Sequence, residues 1–225
     1  MTNEISARSR LYGRSKGKAL RQRQSDLMTS LLPRLLIDLT NPIKLRERRE
    51  TRLEIGFGGG EHLIEAASLS PEIDFIGCEP FVNGVAKLLS KIDARGLTNI
   101  TLHQGDATQI LDLLPDNSLS CVYLFYPDPW PKRRHRKRRF ISQDNLSRLS
   151  RVMKPNAQLR FATDIDDYAA WTLARLQACA AFQWKATIAD DWRRPWPNWT
   201  QTKYEAKAIA AGRRPAYLTF IKQAD

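Results

Sequence analysis

The sequence predicts a doubly wound α/β fold with a mostly parallel sheet. From about residue 51, short apolar runs alternate with helical patterns, as in successive βαβ units. The first run ends in a cluster of glycines, and the last two runs have no clear helix between them. The length of 225 residues suits one domain, so the basic arm and the helix near 24–38, within 1–50, are expected to join 51–225 in the same domain.

Strands are predicted where apolar and β-branched residues form short runs between turn residues. In chain order these runs are 52–57, 74–79, 99–104, 120–126, 158–164, 182–188 and 216–222. The last two are expected to pair antiparallel at one edge of the sheet. Residues 189–213 hold many Trp, Pro and Arg residues, and they predict a long loop with one short helix.

Helices are predicted between the strands. The first runs from about Gly60 to Leu69, and the second ends at about Arg95, where Gly96 closes it. A third lies near 144–153 and ends before a proline, which cannot continue a helix. A fourth follows the fifth strand and runs to about residue 179.

Charge points to the class of partner. The chain has 36 Lys and Arg against 24 Asp and Glu, a net charge of +12, which favours a polyanion, with nucleic acid ahead of a membrane surface. The basic residues cluster at 8–23, 132–139 and 193–214, and aromatic residues lie among them. Aromatic faces stack on bases while cations hold phosphates, so the clusters predict nucleic-acid binding rather than simple solubilising charge.

Other classes of protein are disfavoured. No apolar run reaches 18 residues, and the N-terminus lacks the apolar segment of a secretory signal. The three cysteines are widely spaced, and no Cys or His pair has zinc spacing. We therefore expect a cytoplasmic protein without membrane segments or metal, either a monomer or a homodimer.

Ligands of such sheets bind at the carboxyl ends of the strands, and a glycine-rich turn follows the first of these ends. Glu54 precedes Gly56, Gly58 and Gly60, but Glu61 stands where the dinucleotide fingerprint needs its third glycine. An acid there opposes a pyrophosphate. The turn therefore suits a nucleoside without phosphates, such as S-adenosylmethionine; the alternative is a glycine turn with no ligand.

Carboxylates also follow the next three strands. Glu79 follows the second, at the position where an acid accepts hydrogen bonds from ribose hydroxyls. Asp106 follows the third and is placed to meet an adenine amino group, although Asp106 and Gln109 also have the spacing of a helix capping box. Asp128 follows the fourth, ahead of seven Lys or Arg in eight positions.

These residues together resemble the bacterial tRNA (guanine-N7-)-methyltransferases. The resemblance rests on 54–60, Glu79, Asp106, PDPWPKRRHRKRRF at 127–140, ATD at 162–164 and TKYE at 202–205, and it covers nearly the whole chain. It implies a class I methyltransferase with a seven-stranded Rossmann-like sheet. The implied reaction moves a methyl group from S-adenosylmethionine to N7 of guanosine 46 in the tRNA variable loop.

The resemblance also implies residue roles. Asp128 is the expected catalytic residue, and the expected cofactor contacts are Glu54, Gly56, Gly58, Glu79, Asp106 and Asp128. The expected substrate contacts are Lys132, Asp164, Thr202, Lys203, Tyr204 and Glu205. The expected RNA contacts are Arg134, His135, Arg136, Lys137, Arg138 and Arg139. Pro131, where many relatives carry His, departs from the pattern and weakens the assignment of Lys132.

Alternatives exist for two of these residue roles and for the function. Asp164 and Thr202 each have a position that also suits a helix cap. An amino-methyltransferase is disfavoured, because Trp130 stands where such enzymes carry a second proline. A non-catalytic RNA-binding protein on a methyltransferase scaffold is the alternative from another class.

Overall fold

A computed structural model describes Ser15 and residues 17–224. The four basic residues Arg8, Arg10, Arg14 and Lys16 of the N-terminal cluster lie outside the described residues, as does the expected arm that they form. In the described part, no helix combines the length and apolar character that crossing a bilayer requires.

Seven strands form one sheet in the order β3-β2-β1-β4-β5-β7-β6. The strands are β1 Thr51–Ile55, β2 Asp74–Cys78, β3 Ile100–His103, β4 Leu119–Phe125, β5 Met153–Thr163, β6 Phe182–Trp184 and β7 Ala216–Lys222. All pairs are parallel except those of β7, which runs antiparallel to both β5 and β6. The predicted fold class and the antiparallel late strands are confirmed.

The helices lie between the strands, as the alternating pattern predicts. They are α1 Gln22–Ser30, α2 Leu32–Leu35, α3 Glu61–Leu69, α4 Val82–Arg95, α5 Ala107–Leu113, α6 Gln143–Val152, α7 Asp166–Gln177, α8 Asp190–Arg193 and α9 Lys203–Ala210. A 3₁₀-helix, Arg133–Arg138, forms within the basic run.

Some predicted boundaries are wrong. The helix expected near 24–38 breaks at Leu31, because Pro33 fits only the first turn of a new helix. The strand expected at 182–188 ends at Trp184. Residues 189–213 contain two helices rather than one.

The core lies on both faces of the sheet, and the period of two along β4 shows how. Val122 and Leu124 face the cluster formed with α5, α6 and α7, whereas Cys121, Tyr123 and Phe125 face the cluster with α1, α3 and α4. The order of strands reverses between β1 and β4. In sheets of this kind, that reversal is where ligands bind.

One buried amide fixes the turn between α3 and β2. The Asn99 side chain is 6% exposed, and its Nδ2 donates to the carbonyl oxygens of Ala67, Ser70 and Ile73 at 3.0, 3.1 and 2.9 Å. Without this amide the buried carbonyls lose their donor, which costs free energy.

We therefore expect Asn99→Ala to lower the free energy of unfolding by about 2 kcal/mol in urea denaturation. Asn41→Ala is the matched control, because Asn41 is exposed and its side-chain amide bonds only to nearby Asp38 and Thr40. Equal stability of the two variants would contradict the role of Asn99.

Candidate active site

The glycine turn after β1 forms the floor of the site. Gly56, Gly58 and Gly60 have φ of 73, 56 and 68°. Residues other than glycine adopt this left-handed backbone conformation only at a cost in free energy. A Cβ on Gly84 of α4 would stand 2.3 Å from the Gly58 carbonyl oxygen. The helix and the turn therefore touch through their backbones, which only glycine permits.

Glu79 ties this turn to the end of β2. Its Oε2 accepts from the Gly58 N–H at 2.6 Å and its Oε1 from the Phe81 N–H at 2.9 Å. Burial raises the pKa of Glu79, and the two backbone donors oppose that rise because they favour the charged form. The carboxylate thus shapes the turn itself and keeps lone pairs for a further donor.

Glu54 has a partner that sequence reasoning missed. Its side chain is buried, and its Oε2 lies 2.7 Å from Nδ1 of His62. The imidazole packs edge-on against the rings of Tyr123 and Phe125, at 4.7 and 4.8 Å between centroids. The only sequence signal was the position of His62 in the first turn after the glycines.

Asp106 caps α5, the alternative role that its sequence position also allowed. Its Oδ1 accepts from the Thr108 N–H at 3.0 Å at the start of α5. Gln109 does not complete the capping box, since its Oε1 lies 2.9 Å from His103 Nε2. The Asp106 carboxylate therefore supports α5 at the rim, whatever further contact it makes.

Asp128 stands on a sharply turned loop after β4. The turn uses positive φ at Tyr126 and Trp130, 49 and 42°. The Asp128 side chain is exposed at the rim, yet desolvation by the surrounding protein raises the pKa of its carboxyl. Ionising Asp128 is therefore harder here than in water, which makes the group sensitive to a ligand that donates hydrogen bonds.

The α9 segment covers the glycine turn from the other side. The Tyr204 ring comes within 3.3 Å of where a Cβ on Gly58 would stand, and its pKa is raised by burial and then by the charges of Glu79 and Asp128. The charge of Lys203 in turn favours the ionised form of Glu79. Residues from β2, β4 and α9 therefore converge on one place.

Glu205 lies inside the protein rather than at the site surface. It is 2% exposed, its Oε2 accepts from Trp199 Nε1 at 2.7 Å, and its Oε1 accepts from the Tyr217 hydroxyl. Thr202 caps α9 by accepting from the Glu205 N–H at 3.2 Å. Both oxygens of Glu205 are occupied by protein donors in the interior, so the structure gives Glu205 a structural role, and its contact with substrate stays a prediction.

Asp164 at the end of β5 also has a protein partner. Its Oδ2 accepts from Arg213 Nε at 2.6 Å. The expected cap of α7 is not made by Asp164, because Ile165 occupies the N-cap position. Lys132, exposed ahead of the 3₁₀-helix, makes no ion pair within the described residues. Asp164 follows β5 at the same edge of the sheet where Asp128 follows β4, because the two strands pair in parallel.

The basic run divides into inward and outward residues. Arg139 is 2% exposed: its Nε donates to the Pro129 carbonyl at 2.8 Å, and its guanidinium pairs with Asp167. Arg139 is therefore held by protein partners in the interior, and its contact with RNA stays a prediction. Arg138 lies over the Trp130 ring at 4.8 Å, and Arg134 and Lys137 are exposed.

His135 stays neutral in this surrounding more readily than a free imidazole. Its ring stands edge-on to Trp130 at 5.9 Å between centroids. Desolvation and the positive charges of Arg138 and Arg134 lower the pKa of His135. Within the described residues, no group of three or more His, Cys, Asp or Glu side chains could hold a metal ion.

Comparison with known proteins identifies the family. A family model described as "Putative methyltransferase" matches residues 48–217. A curated protein of Agrobacterium fabrum named tRNA (guanine-N(7)-)-methyltransferase is 51% identical over 232 aligned positions, which cover 99% of this chain and all of that protein. One of Mesorhizobium japonicum with the same name is 52% identical over 219 positions, 94% of both chains.

The chain belongs to the tRNA (guanine-N(7)-)-methyltransferase family. The resemblance drawn from the sequence is confirmed. Solved structures support the fold of the family at much lower identity. The 16S rRNA methyltransferase KamB has a TM-score of 0.57 at 17% identity, covering 78% of this chain and 88% of its own. Precorrin-6y C5,15-methyltransferase of Geobacter metallireducens has a TM-score of 0.54 at 14% identity, and the match covers 79% of this chain and 82% of that one.

In this methyltransferase, Glu205→Gln should loosen the segment that carries Tyr204. An amide offers one acceptor oxygen, so either Trp199 or Tyr217 faces an N–H₂ group instead. We expect a loss of about 2 kcal/mol in the free energy of unfolding, measured in urea, and altered tryptophan fluorescence. Glu72→Gln is the control, because Glu72 is exposed. An unchanged stability of Glu205→Gln would contradict the structural role.

Proposed function

We propose that this enzyme transfers a methyl group from S-adenosylmethionine to N7 of guanosine 46 in the variable loop of tRNA. The observation that carries the proposal is identity of about half the residues to curated tRNA (guanine-N(7)-)-methyltransferases over nearly the full length. The net charge of +12 supports a polyanionic substrate. The cytoplasm, where tRNA is modified, is the proposed compartment.

The rim fits the proposed methyl donor. Gly56 is exposed, and a Cβ added there would meet nothing within 4 Å, so the turn offers open space for a ligand next to its backbone. Glu79 lies beside this space with acceptor capacity for ribose hydroxyls. Glu61 at the helix start disfavours a phosphate. S-adenosylmethionine meets these conditions and supplies an electrophilic methyl group on a positively charged sulfur.

Guanine N7 carries a lone pair in the neutral base, so the reaction needs no deprotonation before attack. The N7–carbon bond forms as the sulfur–carbon bond breaks, and the positive charge passes from sulfur to the purine. Much of the work of this chain is therefore to orient N7 and to exclude wrong approaches. The Asp128 carboxylate can accept hydrogen bonds from the N1–H and N2–H₂ edge of the guanine and stabilise the new charge.

The remaining rim residues act on substrate position. Tyr204 offers an aromatic face beside Gly58, suited to stacking with a base. Lys132 is free to reach a phosphate next to the target, and Asp164 is held in place by Arg213. The proposed substrate contacts of the α9 segment are Thr202, Lys203, Tyr204 and Glu205. The proposed RNA contacts are Arg134, His135, Arg136, Lys137, Arg138 and Arg139.

The second candidate is a non-catalytic RNA-binding protein on the same scaffold. The bonds of Glu79 to the glycine turn speak against it, because a protein without a methyl donor has no need of a glycine turn held this tightly. A family membership at about 50% identity to named enzymes also favours catalysis.

The test of the proposal is methyl transfer. The protein is incubated with methyl-labelled S-adenosylmethionine and unmodified tRNA, and the labelled nucleoside is identified after digestion. We expect 7-methylguanosine, and we expect none with a tRNA in which guanosine 46 is replaced by adenosine. Labelled N6-methyladenosine, or binding of tRNA without transfer, would overturn the proposal.

Asp128→Asn should separate catalysis from stability. Loss of the carboxylate should lower turnover by about 100-fold or more.

Since the folded protein raises the pKa of Asp128, the folded state binds the proton more tightly than the unfolded chain. The stability that this raised pKa contributes is fully present below the pKa of Asp128 in the unfolded chain. It is lost as the pH rises through the pKa of Asp128 in the folded protein. At neutral pH the variant should therefore unfold at a slightly higher temperature.

Asp116→Asn is the matched control, because Asp116 is exposed at the opposite end of β4. It should leave turnover unchanged. In the wild type, kcat/KM should fall at acidic pH as Asp128 takes up its proton. Near-normal turnover of Asp128→Asn with intact tRNA binding would mean that the carboxylate stabilises no charge in the reaction.

A further inference from the structure

A basic groove lies between the basic run and α7. It is lined by Arg133, Arg136, Lys137 and Arg139 of the run and by Trp171 and Arg175 of α7, around a cavity of about 420 Å³. At the rise of about 1.5 Å per residue, Arg175 lies roughly 14 Å along α7 from the helix start. The residues that line the groove include neither Asp128 nor Tyr204.

The groove holds more positive charge than its surroundings neutralise. Asp167, next to the groove, pairs with Arg136 at 2.7 Å and with Arg139. Within the described residues, Arg133, Lys137 and Arg175 have no carboxylate at ion-pair distance, and no acid lines the groove. Cations gathered in this way repel one another unless an anion lies between them.

The groove is also held in a fixed shape. Trp171 Nε1 donates to the Ile141 carbonyl at 2.9 Å, which fixes the indole. The Arg175 guanidinium then lies 3.9 Å from the ring centroid and that of Arg139 5.1 Å from it. A cation held on an aromatic face loses little side-chain entropy when it binds, so the arginine is prepared for a ligand.

Two donors in this place lack acceptors. The Nε atoms of Arg136 and Arg175 are buried and have no hydrogen-bond partner within the described residues. A buried donor without an acceptor costs free energy, which an anionic oxygen would recover. The planar guanidinium is suited to phosphate oxygens, because it offers several N–H groups in one fork.

A helix terminus adds to the field. Ser142 lines the groove and caps the ten-residue helix α6 by accepting from the Asn145 N–H at 3.4 Å. The N-terminus of a helix carries partial positive charge and attracts phosphate.

We propose that this groove is a second phosphate subsite, in which Arg175 holds a backbone phosphate of the tRNA away from the target guanosine. The proposal rests on the proposed function, since it takes tRNA as the substrate. It divides the basic run between two tasks. Arg136 and Lys137 line the groove with Arg175, Arg139 lines it from inside the protein, and Lys132 and Arg134, which do not line it, are left for the target.

The test is tRNA affinity as a function of salt, measured by filter binding without turnover. Arg175→Gln should weaken binding several-fold and make the slope of log affinity against log salt shallower by about 0.7 to 0.9, the value of one phosphate contact. Arg34→Gln, which removes an exposed arginine of α2 beside β3, is the matched control and should bind as the wild type does.

A second pair of variants keeps the test independent of folding. Ser142→Asp and Ser142→Asn both retain a good N-cap, but only the aspartate brings negative charge into the groove. We expect Ser142→Asp to bind tRNA more weakly than Ser142→Asn. Ethylation of single tRNA phosphates should reveal one phosphate whose modification weakens binding to the wild type and has no effect on Arg175→Gln.

Equal affinity of Arg175→Gln and Arg34→Gln, or of Ser142→Asp and Ser142→Asn, would overturn the subsite. The two proposals fail separately. Salt-dependent binding through Arg175 without methyl transfer would leave the subsite and remove the proposed function. Transfer to guanosine 46 with affinity that is indifferent to Arg175 would do the reverse.

Discussion

The active site depends on one carboxylate that holds two backbone amides. Glu79 accepts from the N–H groups of Gly58 and Phe81 and so joins the turn after β1 to the turn after β2. Because Gly84 lets α4 touch the same turn through its backbone, the floor of the site is fixed from two directions. Tyr204 of α9 packs on the same turn, beside Gly58.

The opposite wall is fixed by tryptophans rather than by regular structure. Trp196 donates to the Thr219 hydroxyl of β7 at 2.8 Å, which attaches the loop directly to the sheet. Trp199 donates to Glu205 of α9, and Glu205 in turn accepts from the Tyr217 hydroxyl of β7. These rings also pack on Phe125 and Tyr217. A buried polar network of this kind rigidifies a segment only when every member is satisfied. It thereby brings α9 over the glycine turn.

Arginine serves two purposes within one short run of sequence. Arg139 lies inside the protein, where Asp167, the Pro129 carbonyl and two aromatic rings satisfy it. It connects the loop of Asp128 to α7, and so couples the rim to the groove. Its basic neighbours remain at the surface, and ion pairs within the described residues do not neutralise all of their charge. Burial of a charge requires such partners, and the 3₁₀-helix of Arg133–Arg138 is what turns one arginine inward.

The fold class, the strand ends and the acids that follow them could be predicted from the sequence, because hydrophobic period, glycine positions and strand length are local properties of the chain. The family could be predicted as well, through residues at 54–60 and 127–140. Three contacts could not: His62 meets Glu54, Glu205 is interior, and Arg213 holds Asp164. Each of these depends on a partner brought close by packing of separate elements. Local patterns give the orientation of a residue within its own element, but they do not give the partner that satisfies its charge.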